Sequence, residues 1–270
     1  MIGYVTPYTK MFGLLEPFGT MEMISKAGFN GVEVLLSGDA RKNPGKYSQA
    51  AKRYGLSMNG HILWSKENSP HTLHSYPLSW FGYLLPDSYT FQEAVPSHTH
   101  FYCEGIVVNG EYWRESSFGS PYWLQTYGQV GSDGKFMISY PQFVSEVRKK
   151  QLPVVFDTEH CLEFMLDVHG PGKLPTNKGE LLAMLKGAWE ALWPYVQEIH
   201  FNDCNPSRGI TKVFPGEGQL PLKEFAQYIR ASGWGKNESK KVSLEMMPAH
   251  SKGGKRLREA LAVARNMLEG

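Results

Sequence analysis

Short apolar runs alternate along this chain with segments whose apolar residues recur at helical spacing. Runs at 2–6, 31–36, 56–63, 105–111, 153–157, 198–203 and 241–247 have the length and β-branched content of strands. Between them, 20–27, 46–54, 141–150, 179–193, 221–233 and 255–268 read as amphipathic helices. Thr20 is the expected N-cap of the first and Gly28 its stop; Gly55 closes the second, and Pro141 opens the third. The helix at 179–193 is the strongest, with Leu181, Leu182, Leu185, Ala188, Trp189 and Leu192 along one stripe.

Repeated strand–helix alternation predicts parallel strands joined by crossover helices. Seven strands are clear, and an eighth is expected within 64–104, where Pro, His, Ser and aromatic residues blur the period. The predicted fold is α/β: one domain over 1–270, a (β/α)8 TIM barrel with long irregular insertions in the 64–138 region. Residues 112–138 are read as insertion, and Trp64, His71, His74, Trp80, Trp113 and Trp123 as either a lid or ordinary loops packed by aromatics. No GxGxxG follows the first strand, which argues against a dinucleotide fold.

Side-chain parity sharpens this picture. In a barrel, one face of each strand meets the helices and the other points to the axis. Val32 and Val34 flank Glu33; Ile199 and Phe201 flank His200; Leu244 and Met246 flank Glu245. The polar set Glu33, His61, Glu111, Asp157, His200 and Glu245 then converges near the C-terminal strand ends, where barrel active sites form. Burying four carboxylates together costs several kcal/mol per ion, by order of magnitude, unless a cation joins them.

Composition adds mostly exclusions. Hydrophobic residues are 41% and charged residues 20%, and the net charge is +2, which gives no footprint for a nucleic-acid surface. Three scattered cysteines, Cys103, Cys161 and Cys204, form no CxxC and argue for a reducing compartment. The opening MIGYVTPYTK lacks a secretory pattern and no apolar run approaches ~20 residues, so a cytoplasmic location without membrane contact is expected. Homo-oligomerisation is left open.

Four stretches together resemble the xylose isomerase-like TIM barrel superfamily, which includes ketose epimerases, isomerases and the apurinic endonuclease IV family. They are GFNGVEV (28–34), FDTEH (156–160), IHFNDCNPSRG continuing to FPGEGQLPLKEF (199–225), and SLEMMP (243–248). The resemblance implies one divalent ion held by Glu111, Asp157, His200 and Glu245. If GIVVNG is instead the preceding strand, the first of these ligands is missing. Such a set is hard and oxygen-rich, favouring Mn²⁺ or Mg²⁺ over Co²⁺ or Zn²⁺. By the same resemblance Glu111 and Glu245 exchange protons with a small carbohydrate-like substrate through an enediolate. His160 and Arg208 bind substrate oxygens, and His61 lines the pocket.

The expected activity is therefore a metal-dependent isomerase or epimerase of a small sugar or related polyhydroxy carbonyl compound, with a lyase or dehydratase as a variant. A phosphodiesterase on abasic DNA is the second reading, weakened because SRGITKVF lacks the Asp-x-His that branch needs. The third is a barrel that binds a sugar or a partner without turnover. Plain structural roles compete throughout: Asp157 and His160 as a strand-end cap, His200 as a core histidine, Glu245 as a lysine partner, Arg208 as a surface residue.

Overall fold

The computed structural model describes residues 5–12, 15–35, 38–61, 106–109, 122–127, 136, 138–236, 240–246 and 253–270. Eight parallel strands pair in a closed ring in the order β1-β10-β7-β6-β5-β4-β3-β2. They are β1 (Val5–Phe12), β2 (Gly31–Leu35), β3 (Ser57–His61), β4 (Ile106–Asn109), β5 (Tyr122–Gln125), β6 (Val154–Asp157), β7 (Val196–His200) and β10 (Lys240–Leu244). A short antiparallel pair, β8 (Asp203–Asn205) and β9 (Ile210–Val213), stands beyond the end of β7.

The helices follow from local chemistry. α1 (Pro17–Lys26) begins earlier than expected: Glu16, not Thr20, caps it, accepting from the Phe18 and Gly19 amides at 2.9 and 2.6 Å, with Pro17 at the first position. α2 (Gly38–Lys42) and α3 (Pro44–Arg53) precede β3. α4 (Tyr140–Lys150) is capped by Ser139, α6 (Lys178–Leu192) by Asn177, and α7 (Leu222–Ser232) stops at Gly233 with φ 82°. α5 (His160–Leu166) starts three residues after β6, and α8 (Gly253–Glu269) closes the described chain.

Two expectations are corrected. The eighth strand of the described ring is β5, inside the stretch read as insertion, because β3 pairs directly with β4 (Gly60↔Ile106, His61↔Val107) and β4 with β5. Four residues, YWLQ, are too few to establish a period of two among so many aromatic neighbours. The first strand runs to Phe12 rather than ending at 6. Pro7 reads as a break, yet it pairs only with β10 (Pro7↔Val242), because pairing to β2 begins at Tyr8↔Gly31. Residues 62–105 and 110–121 lie outside the described residues, and with them most of the 64–138 insertions.

Parity holds in three dimensions. Val32, Val34, Met58, Leu124, Val154, Phe156, Ile199, Val242 and Leu244 pack into one apolar core with the helices. Trp189 anchors it, meeting Phe156, Phe225 and Trp234 at ring-centroid distances of 5.4, 6.0 and 5.7 Å. The intervening residues point to the axis, where the polar groups gather.

Candidate metal and catalytic site

Near the C-terminal ends of the strands, donor atoms of Glu33, His61, His200 and Glu245 all lie within 4.8 Å of one another, and all four residues are buried. Register brings the first contributors together: Lys10 on β1 is the partner of Glu33 on β2. His200 Nε2 meets Glu33 Oε2 at 2.9 Å, while its Nδ1 lies 3.4 Å from Glu245 Oε1 and 3.5 Å from Asp157 Oδ2. His61 Nδ1 lies 2.7 Å from Glu33 Oε1, and its buried Nε2 has no hydrogen-bond partner among the described residues.

Two lysines enter this group. Lys10 Nζ donates to Glu245 Oε1, lies 3.4 Å from Glu33 Oε1 and sits 2.9 Å from His61 Nδ1. Lys212, from β9, pairs with the other oxygen, Glu245 Oε2. Asn202 binds the strand ends together: its amide nitrogen donates to Asp157 Oδ2 at 2.8 Å and Glu245 Oε2 at 3.2 Å, and its oxygen accepts the Glu245 amide.

The electrostatics follow from who neighbours whom. Burial alone would raise the Glu33 and Glu245 carboxyls. For Glu33, His200, His61 and Lys10 outweigh it; for Glu245, Lys10, Lys212 and His200 do; both end well below the usual carboxylate range. Burial opposes a charge on His200, but Glu33 and Glu245 raise its pKa well above the ordinary value. Burial, with Lys10 adding to it, pushes His61 down to about 4, so that ring is neutral at pH 7.

Asp157 stands beside the four-residue set rather than within it. Its Oδ1 accepts the backbone amides of Glu159 and His160, both at 2.9 Å; its Oδ2 accepts from Gln125 at 3.0 Å and from Asn202. Burial would raise this carboxyl, but His160 and the His200 hydrogen bond bring it to about 2. Gln125 ends β5, directly beside Asp157 on β6, so the next strand around the ring presents an amide and not a carboxylate.

Past Asp157, His160 opens α5 with its Nδ1 3.1 Å from Glu163 Oε2 and its ring 4.4 Å from that of Tyr127. Thr158, which the sequence leaves without a role, accepts the Asn202 amide at 2.8 Å and donates to the Asn202 carbonyl at 2.6 Å, tying β6 to the end of β7. Glu159 is buried, which raises its carboxyl to about 8, and it accepts the Lys212 amide at 3.2 Å.

The Pro215-Gly-Glu-Gly turn is a cradle for Asp203. The Gly216, Gly218, Leu220 and Cys204 amides all donate to its carboxylate, at 2.9 to 3.2 Å. Gly216 has φ 85°, and a Cβ on Gly218 would collide with the Asp203 carboxylate and the Cys204 carbonyl. This turn positions the β8–β9 pair that delivers Lys212.

Nearer the N-terminal ends of the same strands the inside of the ring is quieter. Asn59 donates to Glu198 Oε2 at 2.8 Å and accepts from Lys241 at 3.0 Å, and the Lys241 ammonium lies 4.4 Å from the Trp123 ring centroid. Burial, then Glu33, raises the Glu198 carboxyl to about 8.

Of the residues expected at the site, the structure gathers His61, Asp157, His200 and Glu245 at the mouth and sets His160 just beyond. Glu33, which the sequence placed on the axis, joins the donor set. Arg208 sits exposed in the turn Pro206–Arg208. Glu111 lies outside the described residues. Lys10, Lys212, Gln125 and Asn202 escaped the sequence reading. Lys10 was findable from the alternation Tyr8, Lys10, Phe12 once β1 is extended; Lys212 depends on a hairpin with no strong periodic signal.

The donor chemistry fits a hard divalent ion: two ionised carboxylates, a neutral imidazole with one ring nitrogen that has no partner among the described residues, and a second imidazole that ligates on losing a proton.

No protein-family model matches the chain, and no curated protein matches it. Solved structures do. A D-psicose 3-epimerase crystallised in the presence of D-fructose superposes with a TM-score of 0.57 at 14% identity, over 98% of this chain and 100% of its own. A D-allulose 3-epimerase from Methylomonas sp. gives 0.57 at 12% identity, over 98% of both chains. A xylose isomerase domain protein from Planctomyces limnophilus gives 0.55 at 14%, over 99% of this chain and 96% of its own. The α/β architecture described above is therefore a fold shared with these sugar epimerases and with the xylose isomerase domain protein.

Proposed function

We propose that the chain is a single (β/α)8 barrel that isomerises or epimerises a small sugar or related polyhydroxy carbonyl compound, with one divalent ion at the strand ends. The observation that supports this best is the convergence of Glu33, His61, His200 and Glu245 on one buried point at the C-terminal mouth. The shared fold with two ketose 3-epimerases is consistent with it.

In this reading Glu33, His61, His200 and Glu245 hold the ion, with Asp157 beside them and Mn²⁺ or Mg²⁺ preferred. The bound ion supplies electrophilic stabilisation of the negative charge that develops on a carbonyl substrate. The protein's own groups do the rest. Glu245, kept ionised by Lys10, Lys212 and His200, is the base that takes a proton from carbon. Asn202 orients Glu245 by bonding both its carboxylate and its amide. His160, buffered by Glu163, and Arg208 bind substrate hydroxyls, and the Lys212 ammonium is a donor to an oxyanion.

The test is proton exchange. Purified protein loaded with Mn²⁺ is incubated in D₂O with a panel of ketoses and aldoses. Deuterium at a carbon next to the carbonyl, lost in Glu245→Gln, supports the reading; absence of exchange across the panel together with absence of bound metal overturns it. Metal binding and sugar binding without exchange would instead identify a barrel that binds and does not turn over, a reading favoured by the amide of Gln125 beside Asp157.

A further inference from the structure

Three of the four members of the proposed donor set touch one ammonium. Lys10 Nζ contacts Glu245 Oε1, stands 3.4 Å from Glu33 Oε1 and 2.9 Å from His61 Nδ1, and its side chain is only 6% exposed. A divalent ion would lie about 2.0–2.2 Å from the same oxygens and nitrogens. Two cations cannot share that space. Charge argues the same way. Lys10 and Lys212 already stand against the Glu33 and Glu245 carboxylates that the ion would need.

We propose that Lys10 is a built-in counter-cation that competes with the divalent ion for this site, so that metal binding requires the Lys10 ammonium to leave. The idea rests on the metal reading above and adds to it a residue that sets metal affinity. The exit is structurally simple. Lys10 and Lys212 hold different oxygens of Glu245, Oε1 and Oε2, so Lys10 can withdraw while Lys212 keeps its partner. Lys10 sits near the C-terminal end of β1, and its four-carbon stem is long enough to carry the ammonium toward the mouth. Its departure frees the atoms it now contacts, Glu245 Oε1, Glu33 Oε1 and His61 Nδ1, for the incoming ion.

Calorimetric titration of the full chain with Mn²⁺ tests this, using the native protein, Lys10→Met and Glu245→Gln. The expected result is binding to Lys10→Met that is tighter than native by about tenfold or more, since a neighbouring positive charge is gone, and loss of binding in Glu245→Gln. Binding to Lys10→Met equal to or weaker than native, with Glu245→Gln still losing it, overturns the competition and leaves the metal site standing. No binding by either native protein or Lys10→Met overturns both. If Lys10→Met does not fold alone, recovery of its native circular dichroism on adding Mn²⁺ supports the proposal, and failure to recover overturns it. Acetic anhydride labelling of the native protein gives an independent readout: saturating Mn²⁺ should raise acetylation of Lys10 severalfold, and unchanged labelling counts against displacement.

Discussion

Two levels inside the ring of strands show opposite solutions to the same burial. At the mouth, Glu33 and Glu245 are fully enclosed yet ionised, because Lys10, Lys212 and His200 stand against them. Two residues earlier on β7 than His200, Glu198 is equally enclosed, but its carboxyl is pushed up to about 8 and is mostly protonated at pH 7. Among the described residues it accepts one hydrogen bond, from Asn59, and its other oxygen lies 3.8 Å from His200 Nε2, beyond hydrogen-bond reach. The lesson is that burial does not decide the charge of a carboxylate here; the number of cations within reach does. Charge is concentrated where a ligand can arrive, and the lower level is an electrically modest floor beneath it.

Substitutions can break this contrast. Glu245→Ala should have the largest effect, stranding two buried ammonium groups and costing about 3–5 kcal/mol in urea denaturation, with metal binding lost. Glu33→Gln keeps shape but removes a charge between Lys10 and His200; about 2–3 kcal/mol is expected by the same assay, and a smaller loss would mean the mouth is less charge-dependent than its geometry implies. Gly218→Ala should cost about 1–3 kcal/mol by forcing the turn away from Asp203, and through Lys212 it should also weaken metal binding in calorimetry. Glu198→Gln should change stability at pH 7 by less than about 1 kcal/mol, because the native carboxyl is already mostly neutral; a cost matching that of Glu33→Gln would erase the distinction between levels. Arg208→Ala, on the exposed turn, should leave stability within about 0.5 kcal/mol while raising KM for an active sugar.

Much of this was legible in the chain. Alternation about Glu33, His200 and Glu245 put those residues on the axis, and the strands carrying them were placed to within two or three residues. The helix stripes from 179 onward were equally clear. Legibility failed where local signals conflict with pairing. Pro7 disguised the length of β1 and hid Lys10, although the strand tolerates it where only one neighbour pairs. YWLQ was lost among aromatics and shifted the strand count, so GIVVNG became the fourth strand and the amide of Gln125 took the place at the end of the fifth.

The stretch VVFDTEH shows the division well. Its pattern of apolar residues ending in acid and histidine determined, by itself, a strand that stops at a polar mouth. It also determined which faces of the other strands are apolar, since a period of two depends only on neighbours in sequence. Which charges meet was decided by the closed ring. Lys10 reaches Glu245 across 235 positions, and His200 reaches Glu33 across 167. Those contacts lower the Glu33 and Glu245 carboxyls and raise the His200 imidazole. No sequence-local rule contains them, because the electrostatic energy of a buried group depends on distances that exist only after the strands have closed.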